Sequence, residues 1–444
     1  MVEALGWLAF LVGFGGALAL MADRGYRDGM KLAWFVVTLA VPGWFVVTFR
    51  SVSVDGITGV ALAILLATLY QPLTGFRPRW AIADVCLGLV FLATVVSDAA
   101  NRMLIPGFLV EQVRVWVLPY LVGRVFLSSW DEMGRTLPVL MGLVAGLCVF
   151  GIVEALIRTN VLAMATGKTW ELLEKAEGFR WGLKRAQGIA NHPIYFGLLL
   201  SLTLPWVLTA YRQPGSPRWW AYVPALLAAA AFVTVSRSAH LAVAVVFAAD
   251  FFFRKPHYRG PLLAAGLVAG LTFVVFRQEA LDLLGSYAGE ASPDMEQVRI
   301  NGQLVPYSGT RHRDLLMDVY GDAIDGAGWV GYGTLVSDMP KDAYMDPRFA
   351  SIDHEYLLHY LKYGYLGLAT LFLFSAAGTY HLAWAALRRD GPVSDLAGGL
   401  CGAFAVVAVL IRGVAFSNDF RATWLFVAGL GASLAVRPRE TTPR

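Results

Sequence analysis

The run from Ser351 to Gly367 concentrates more reactive side chains than any other stretch of the chain. Asp353 is the expected N-cap of a helix. His354 then falls in the first turn, at the positive end of the helix dipole, which disfavours imidazolium. A neutral imidazole can take up a proton, as a general base must. Leu357, Leu358 and Leu361 share its face, while Glu355, His359 and Lys362 share another. His354 is therefore expected to face protein and His359 the membrane interface. The competing account is a histidine packed under a loop and hydrogen-bonded to a carbonyl. A zinc-protease reading of His354 and His359 fails on spacing. They stand at i, i+5, about 140° apart, whereas metal-binding pairs on a helix stand at i, i+4. No metal and no cofactor is expected.

Arginines form the second group. Arg237 lies in the run Thr234 to His240, a tight turn between two apolar segments. Arg180, Lys184 and Arg185 lie in the run Phe179 to Gly188, just before the apolar segment that begins at His192 and Pro193. Arg412 lies near the end of another apolar run. Ionisable groups at a membrane boundary commonly mark function. Snorkelling to lipid phosphate accounts for Arg180 and Lys184. Arg185 and Arg237 together suit an anionic ligand, because a guanidinium donates two parallel hydrogen bonds to phosphate and stays charged. Glu154 is expected to hydrogen-bond a neighbouring helix and His240 to be packed. Asp84 and Asp98 need no special role. No Asp-x-Asp occurs, which argues against a metal–nucleotide-sugar site. One histidine base with boundary arginines suits departure of a lipid diphosphate, whose growing charge the arginines stabilise. The acceptor would be a hydroxyl, a weak nucleophile that gains from a base.

These groups need a scaffold, and composition names its kind. Of 444 residues, 57% are hydrophobic and only 15% charged, well below the charge content of soluble domains. The net charge of +4 gives no nucleic-acid signature. Cys86, Cys148 and Cys401 all sit in apolar runs, which excludes a disulfide framework or zinc site. Apolar runs long enough for the hydrocarbon slab recur at roughly 4–22, 32–49, 54–73, 82–98, 108–127, 136–157, 193–211, 219–236, 238–253, 260–276, 360–386, 396–416 and 420–436. The fold expected is all-α and polytopic, with about 12–13 transmembrane helices. The first run reads as a retained span rather than a signal peptide. The run 108–127, with Glu111, Arg114 and Arg124, is expected to lie partly at the interface. The stretch from His354 to Ala386 would make a helix of ~50 Å, so it should start outside the bilayer or break near Gly364 and Gly367.

Alternate short loops hold most of the arginine and lysine, which puts those loops and the C-terminus in the cytoplasm. Two longer polar segments, 158–192 and 277–353, then fall on the outer side, where function is expected. The chain divides into 1–157, N-terminal helices; 158–276, helices with the first outer segment; 277–353, a large periplasmic loop containing short helices; and 354–444, C-terminal helices. The pairs Gly142/Gly146 and Gly398/Gly402 predict close helix packing.

Three segments resemble the O-antigen ligase and O-antigen polymerase family of membrane glycosyltransferases. The first runs from Arg311 through the glycine-rich Gly328 to Gly333 and on to His354, Gly364 and Gly367. It is similar to the family's large outer loop and His-x-x-Tyr-Leu helix. Ser236 to Ala239 resembles its short turn with a functional arginine. Arg185 to Gly188, followed by His192 and Pro193, resembles its Arg-x-x-Gly segment. The ordered set covers roughly 180–370. The resemblance implies a polyprenyl-diphosphate-linked glycan as donor and a glycan or glycolipid as acceptor, either lipid A core or a second lipid-linked glycan. It implies His354 as base, Arg185 and Arg237 on the diphosphate, and inverting transfer without a metal. Arg180, Arg311 and Arg412 are secondary candidates. It also implies the inner membrane of a bacterium, with the site facing the periplasm. Glu355 departs from the asparagine common in the family. A ligase and a polymerase fit equally. A transporter of a small anion such as bicarbonate is the alternative class, with Glu154 and Arg412 lining a path. It would call for paired halves or broken helices at midplane, and the sequence has no such pairing.

Overall fold

The computed structural model describes residues 2–49, 51–70, 79–127, 130–166, 179–180, 182–276, 297–300, 303–306, 312–340, 349, 351–416 and 418–436. Helices dominate. The first third comprises α1 (Val2–Arg24), α2 (Tyr26–Ala40), a hairpin of β1 (Val46–Phe49) and β2 (Val52–Asp55), α3 (Gly56–Tyr70), α4 (Ile82–Ala100), α5 (Pro106–Gln112), α6 (Leu118–Phe126) and α7 (Leu137–Ile157). Next come α8 (Val161–Ala165), the short pair β3 (Phe179–Arg180) and β4 (Leu183–Lys184), α9 (Pro193–Tyr211), α10 (Val223–Phe232), α11 (Arg237–Arg254) and α12 (Arg259–Val275). The hairpin of β5 (Gln297–Ile300) and β6 (Gln303–Pro306) precedes α13 (His312–Val319) and α14 (Gly321–Ala327). The chain ends with α15 (Glu355–Arg388), α16 (Gly391–Leu410) and α17 (Asn418–Val436). Among the described residues six helices are long and apolar enough to cross a membrane: Glu3–Arg24, α4, α7, α9, α15 and the stretch Gly391–Gly413. This is an all-α, multi-pass membrane protein.

Two expectations about local structure change. The run 32–49 is not one span. Pro42 disfavours helical geometry at the residue before it, and Val41 is extended at φ −93°, ψ 124°. The chain then turns into the β1–β2 hairpin, with Val46 opposite Asp55. The run 108–127 is not one regular helix either. Pro119 lacks the N–H an α-helix needs there, and Val113–Val117 widens into a π turn that joins α5 to α6. α6 packs along α17, and Arg114 is buried in ion pairs with Glu111 (2.6 Å) and Asp55 (3.3 Å). Gly142 and Gly146 do not pack against a helix. Both are exposed, and a Cβ at either would meet nothing within 4 Å. By contrast, Gly398 and Gly402 press on Phe253 and Ala249 as expected of close packing.

The helix ends separate into two sets. At one end lie Arg27 and Lys31 on Glu132, Arg124 on Asp84 (3.1 Å) and Arg212 on Asp250 (2.6 Å). We call this the basic end. At the other lie the connectors 41–55, 101–105, 183–192, 233–236, 328–340, 351–354 and 411–416. Cross-links tie them into one surface: Gly43 N–H to Ile189 O (2.9 Å), Asn101 Nδ2 to Gly331 O (3.0 Å), and Phe416 N–H to a Glu355 carboxylate oxygen (2.7 Å).

The expected break in α15 occurs at Gly364, with φ 63° and ψ −160°, a region open essentially to glycine alone. The break frees backbone groups on both sides, and the glycine-rich connector 328–333 takes them up. Tyr332 N–H donates to Leu361 O (2.8 Å) and Gly333 N–H to Lys362 O (2.9 Å). Tyr365 N–H donates to Gly328 O (3.1 Å) and Leu366 N–H to Trp329 O (3.2 Å). A Cβ on Gly331 would stand 2.5 Å from the Lys362 carbonyl carbon. The glycines of this motif therefore let two backbones meet, satisfying groups that burial would otherwise leave unpaired.

Candidate functional site

His354, not Asp353, caps α15. Its backbone is extended (φ −148°, ψ 97°), and its Nδ1 accepts the Leu357 N–H at 3.0 Å. Asp353 instead accepts from the Ser351 hydroxyl (3.0 Å) and is exposed. A ring that accepts at Nδ1 carries its proton on Nε2 when neutral. The capped His354 is therefore a hydrogen-bond donor at Nε2, and it takes a proton at Nδ1 only by releasing the cap.

The two faces of this helix start are not divided as the pattern predicts. His359 is only 3% exposed and lies against Trp116 (5.9 Å) and Tyr363 (4.8 Å), while His354 is half-buried. The reason is the break at Gly364. The short piece before it packs among α4, α17 and the 411–416 turn, so it is covered on more than one side.

The segment carrying Arg185 meets the turn that leads into Arg237. Arg185 Nε donates to the carbonyl of Thr234 (3.4 Å), and the next residue, Ala186, donates its N–H to Val233 O (3.0 Å). The Arg185 segment thus lies on the turn that ends with Arg237 at the first position of α11. In that turn Val235 is buried at φ 47°, an outlier for a β-branched residue that costs on the order of 1–3 kcal/mol and is typical of functional turns. His240 is packed, as expected: its ring stacks on Phe232 (5.3 Å) with Nε2 at 3.1 Å from the Phe232 carbonyl.

Glu154 holds the Arg185 segment in place from below. This carboxylate in α7 accepts the N–H groups of Gln187 (3.3 Å) and Gly188 (2.8 Å) and pairs with Lys184 (3.6 Å). Asn160 adds a bond from its Nδ2 to Gly188 O (2.9 Å). Burial pulls the Lys184 ammonium below the ordinary lysine range, and Glu154 opposes that shift. Lys184 is thus a buried anchor and not a snorkelling residue. The partner of Glu154 is a loop, where a neighbouring helix was expected.

The secondary candidates separate. The Arg180 backbone pairs with Leu183 in the β3–β4 ladder. Arg311 lies outside the described residues. Arg412 is exposed in the short turn Ile411–Gly413, at the same end of the bundle as His354.

An aromatic bridge joins the two halves of the site. Glu355, the residue after His354, grips Phe416. Phe416 contacts Phe420 (5.5 Å), Phe420 stacks on Tyr195 (5.2 Å), and Tyr195 meets His192 (5.6 Å). His192 caps α9 through Nδ1 to Ile194 N–H (3.1 Å), just past the Arg185 segment.

The sequence reading gave no role to Glu355 and passed over Arg421, and both are central to this bridge. Glu355 is 4% exposed, and Arg421 donates to the Phe416 carbonyl (2.9 Å) while lying over the Phe416 ring (5.1 Å). Glu355 and Arg421 clasp Phe416 from its N–H and C=O sides. A charged residue in the first turn of each helix was the available signal. Arg114, Arg421, Asp55 and Thr58 border a cavity of about 20 Å³, enough for one water.

α9, α11, α15 and α17 are among the helices that start at this end, and their dipoles present positive poles there. Among the described residues no group of three or more His, Cys, Asp or Glu side chains converges as metal ligands would. The arrangement offers guanidinium forks, helix starts and the imidazoles of His354 and His192, which suits an anion and a proton transfer. No family model and no curated protein matches the chain.

Proposed function

We propose that the chain is a membrane glycosyltransferase of the O-antigen ligase or polymerase type. It would move a polyprenyl-diphosphate-linked glycan onto an acceptor hydroxyl at the outer face of a bacterial inner membrane. The observation that carries this reading is the docking of the Arg185 segment on the Arg237 turn, at the same end of the bundle as His354. In this reading the helices that fall short of a full bilayer crossing are also spans. With α5 and α6 as one, the count is thirteen, and the basic end faces the cytoplasm.

The diphosphate lies against Arg185 and Arg237, whose forks match phosphate oxygens. His354 takes the proton of the acceptor hydroxyl at Nδ1 as the cap on Leu357 opens. The hydroxyl oxygen attacks the anomeric carbon from the face opposite the leaving group, so the configuration inverts. The bond from that carbon to the diphosphate oxygen breaks, and its electron pair leaves with the diphosphate. The arginines and helix poles stabilise the charge that grows there. Glu154 acts one step removed, through the loop that carries Arg185.

The test is reconstitution in lipid discs with a radiolabelled polyprenyl-diphosphate glycan and either lipid A core or a second lipid-linked glycan. Label moving to lipid A core identifies a ligase, and growth of the lipid-linked glycan a polymerase. A donor left intact with every acceptor overturns the reading.

A further inference from the structure

The two residues that follow His354 hold the connector 411–416 at both its ends. Tyr356 Oη donates to the Ala408 carbonyl in the last turn of α16, and a Glu355 carboxylate oxygen accepts the Phe416 N–H (2.7 Å). Arg421 takes the Phe416 carbonyl (2.9 Å). The turn Ile411–Gly413 also packs on α15. Within the connector Ile411, Val414 and Phe416 are buried. Arg412 is exposed and makes no hydrogen bond or ion pair among the described residues. It lies four residues past Ala408, about 6 Å further toward this end of the bundle. The His354 ring stands 6.4 Å from the Tyr356 ring. Short links therefore lead from the imidazole, through Tyr356, to the connector that bears Arg412.

We propose that Arg412 is the anion site for the acceptor, binding a phosphate on the molecule whose hydroxyl His354 activates. The proposal rests on the transferase reading above, and it narrows the acceptor to one that carries phosphate near the attacking hydroxyl. A residue that only snorkels to lipid phosphate needs no fixed backbone. Arg412 instead sits on a connector bonded at both ends, the support that a binding group requires. The bonds come from the sequence neighbours of His354, so base and arginine keep one spacing. An acceptor gripped at its phosphate is thereby oriented with its hydroxyl toward the imidazole. Arg185 and Arg237 stay with the donor, across the separate bridge through Phe420 and Tyr195. The phosphate has two sources with the same chemistry: a phosphorylated sugar of lipid A core, or the diphosphate of a second lipid-linked glycan.

The experiment removes the charge from each side in turn. Arg412→Gln and Arg412→Glu change an exposed position, where substitutions alter stability little. Transfer from a labelled donor is followed in lipid discs with lipid A core, intact or stripped by a phosphatase, and with a lipid-linked glycan or the same glycan on a neutral alkyl chain. For the acceptor that the wild type uses, removing its phosphate and removing Arg412 should each lower kcat/KM roughly fivefold or more. Doing both should cost no more than doing one. Arg412→Glu should lose more than Arg412→Gln with the phosphorylated acceptor, through repulsion. Affinity for polyprenyl diphosphate, measured by itself, should stay at the wild-type value. Losses that simply add, or variants that match the wild type on the phosphorylated acceptor, overturn the proposal. So does a fall in polyprenyl diphosphate affinity, which would put Arg412 on the donor. A wild type that extends no acceptor overturns the transferase reading itself, and the proposal with it.

Discussion

His354 does two jobs that substitution can separate. Its ring caps α15 through Leu357, and a capping side chain contributes about 1 kcal/mol. Asparagine caps as well and exchanges no proton at neutral pH. His354→Asn should therefore keep the thermal midpoint and lose transfer, while His354→Ala loses both; turnover and melting of the purified variants decide it. Transfer surviving in His354→Asn would leave the histidine a cap and nothing more. Arg237→Lys should lower transfer by at least about tenfold, since a point charge replaces a fork, and near-wild-type rates would mean that Arg237 does not hold the diphosphate. Residue types and their order were legible in the chain, and the Arg185 segment does meet the turn before Arg237. The reading of His354 as a donor at rest was not legible, because it depends on which nitrogen meets Leu357 N–H. The roles of Arg421 and Glu355 were not legible because their partner is the backbone of Phe416, which no side-chain pattern encodes.

At the scale of elements, the break at Gly364 and the 328–333 connector make one device. The helix is too long for the bilayer, so its break was readable from length and the glycines. That a distant glycine-rich motif repairs it was not, since the repair is made by backbone groups. Gly364→Ala should cost about 1–3 kcal/mol for the backbone conformation alone, with a further loss because its Cβ would strike the Trp329 backbone. Gly142→Ala, in an open position of a straight helix, should be neutral or stabilising by up to about 1 kcal/mol. Thermal unfolding in detergent compares the two, and an unaffected Gly364→Ala would remove the device from the account. The same contrast explains why glycine spacing misled at α7. A pair at i, i+4 predicts that a partner can come close without saying whether one does.

For the whole molecule, hydropathy was enough to give a helical membrane protein, and the alternation of basic loops anticipated the two sets of helix ends. It missed the β1–β2 hairpin, where a proline and a run of β-branched residues interrupt an otherwise apolar stretch. Orientation is open to direct measurement. The three native cysteines are all buried, so single cysteines at Trp329 (70% exposed) and at Arg135 (side chain 87% exposed) can be labelled against a low background. In intact cells with a permeable outer envelope, Trp329→Cys should react with an impermeant maleimide and Arg135→Cys should not; the reverse pattern would turn the site toward the cytosol. The sharpest test of the account is a double-mutant cycle on binding of polyprenyl diphosphate, using Arg185→Lys, Arg237→Lys and the pair. If both forks hold one diphosphate, each single change weakens binding and the double change costs less than their sum, with a coupling of 0.5 kcal/mol or more on the scale of contacting residues, roughly. Strictly additive losses, or binding indifferent to either arginine, would contradict a shared pocket.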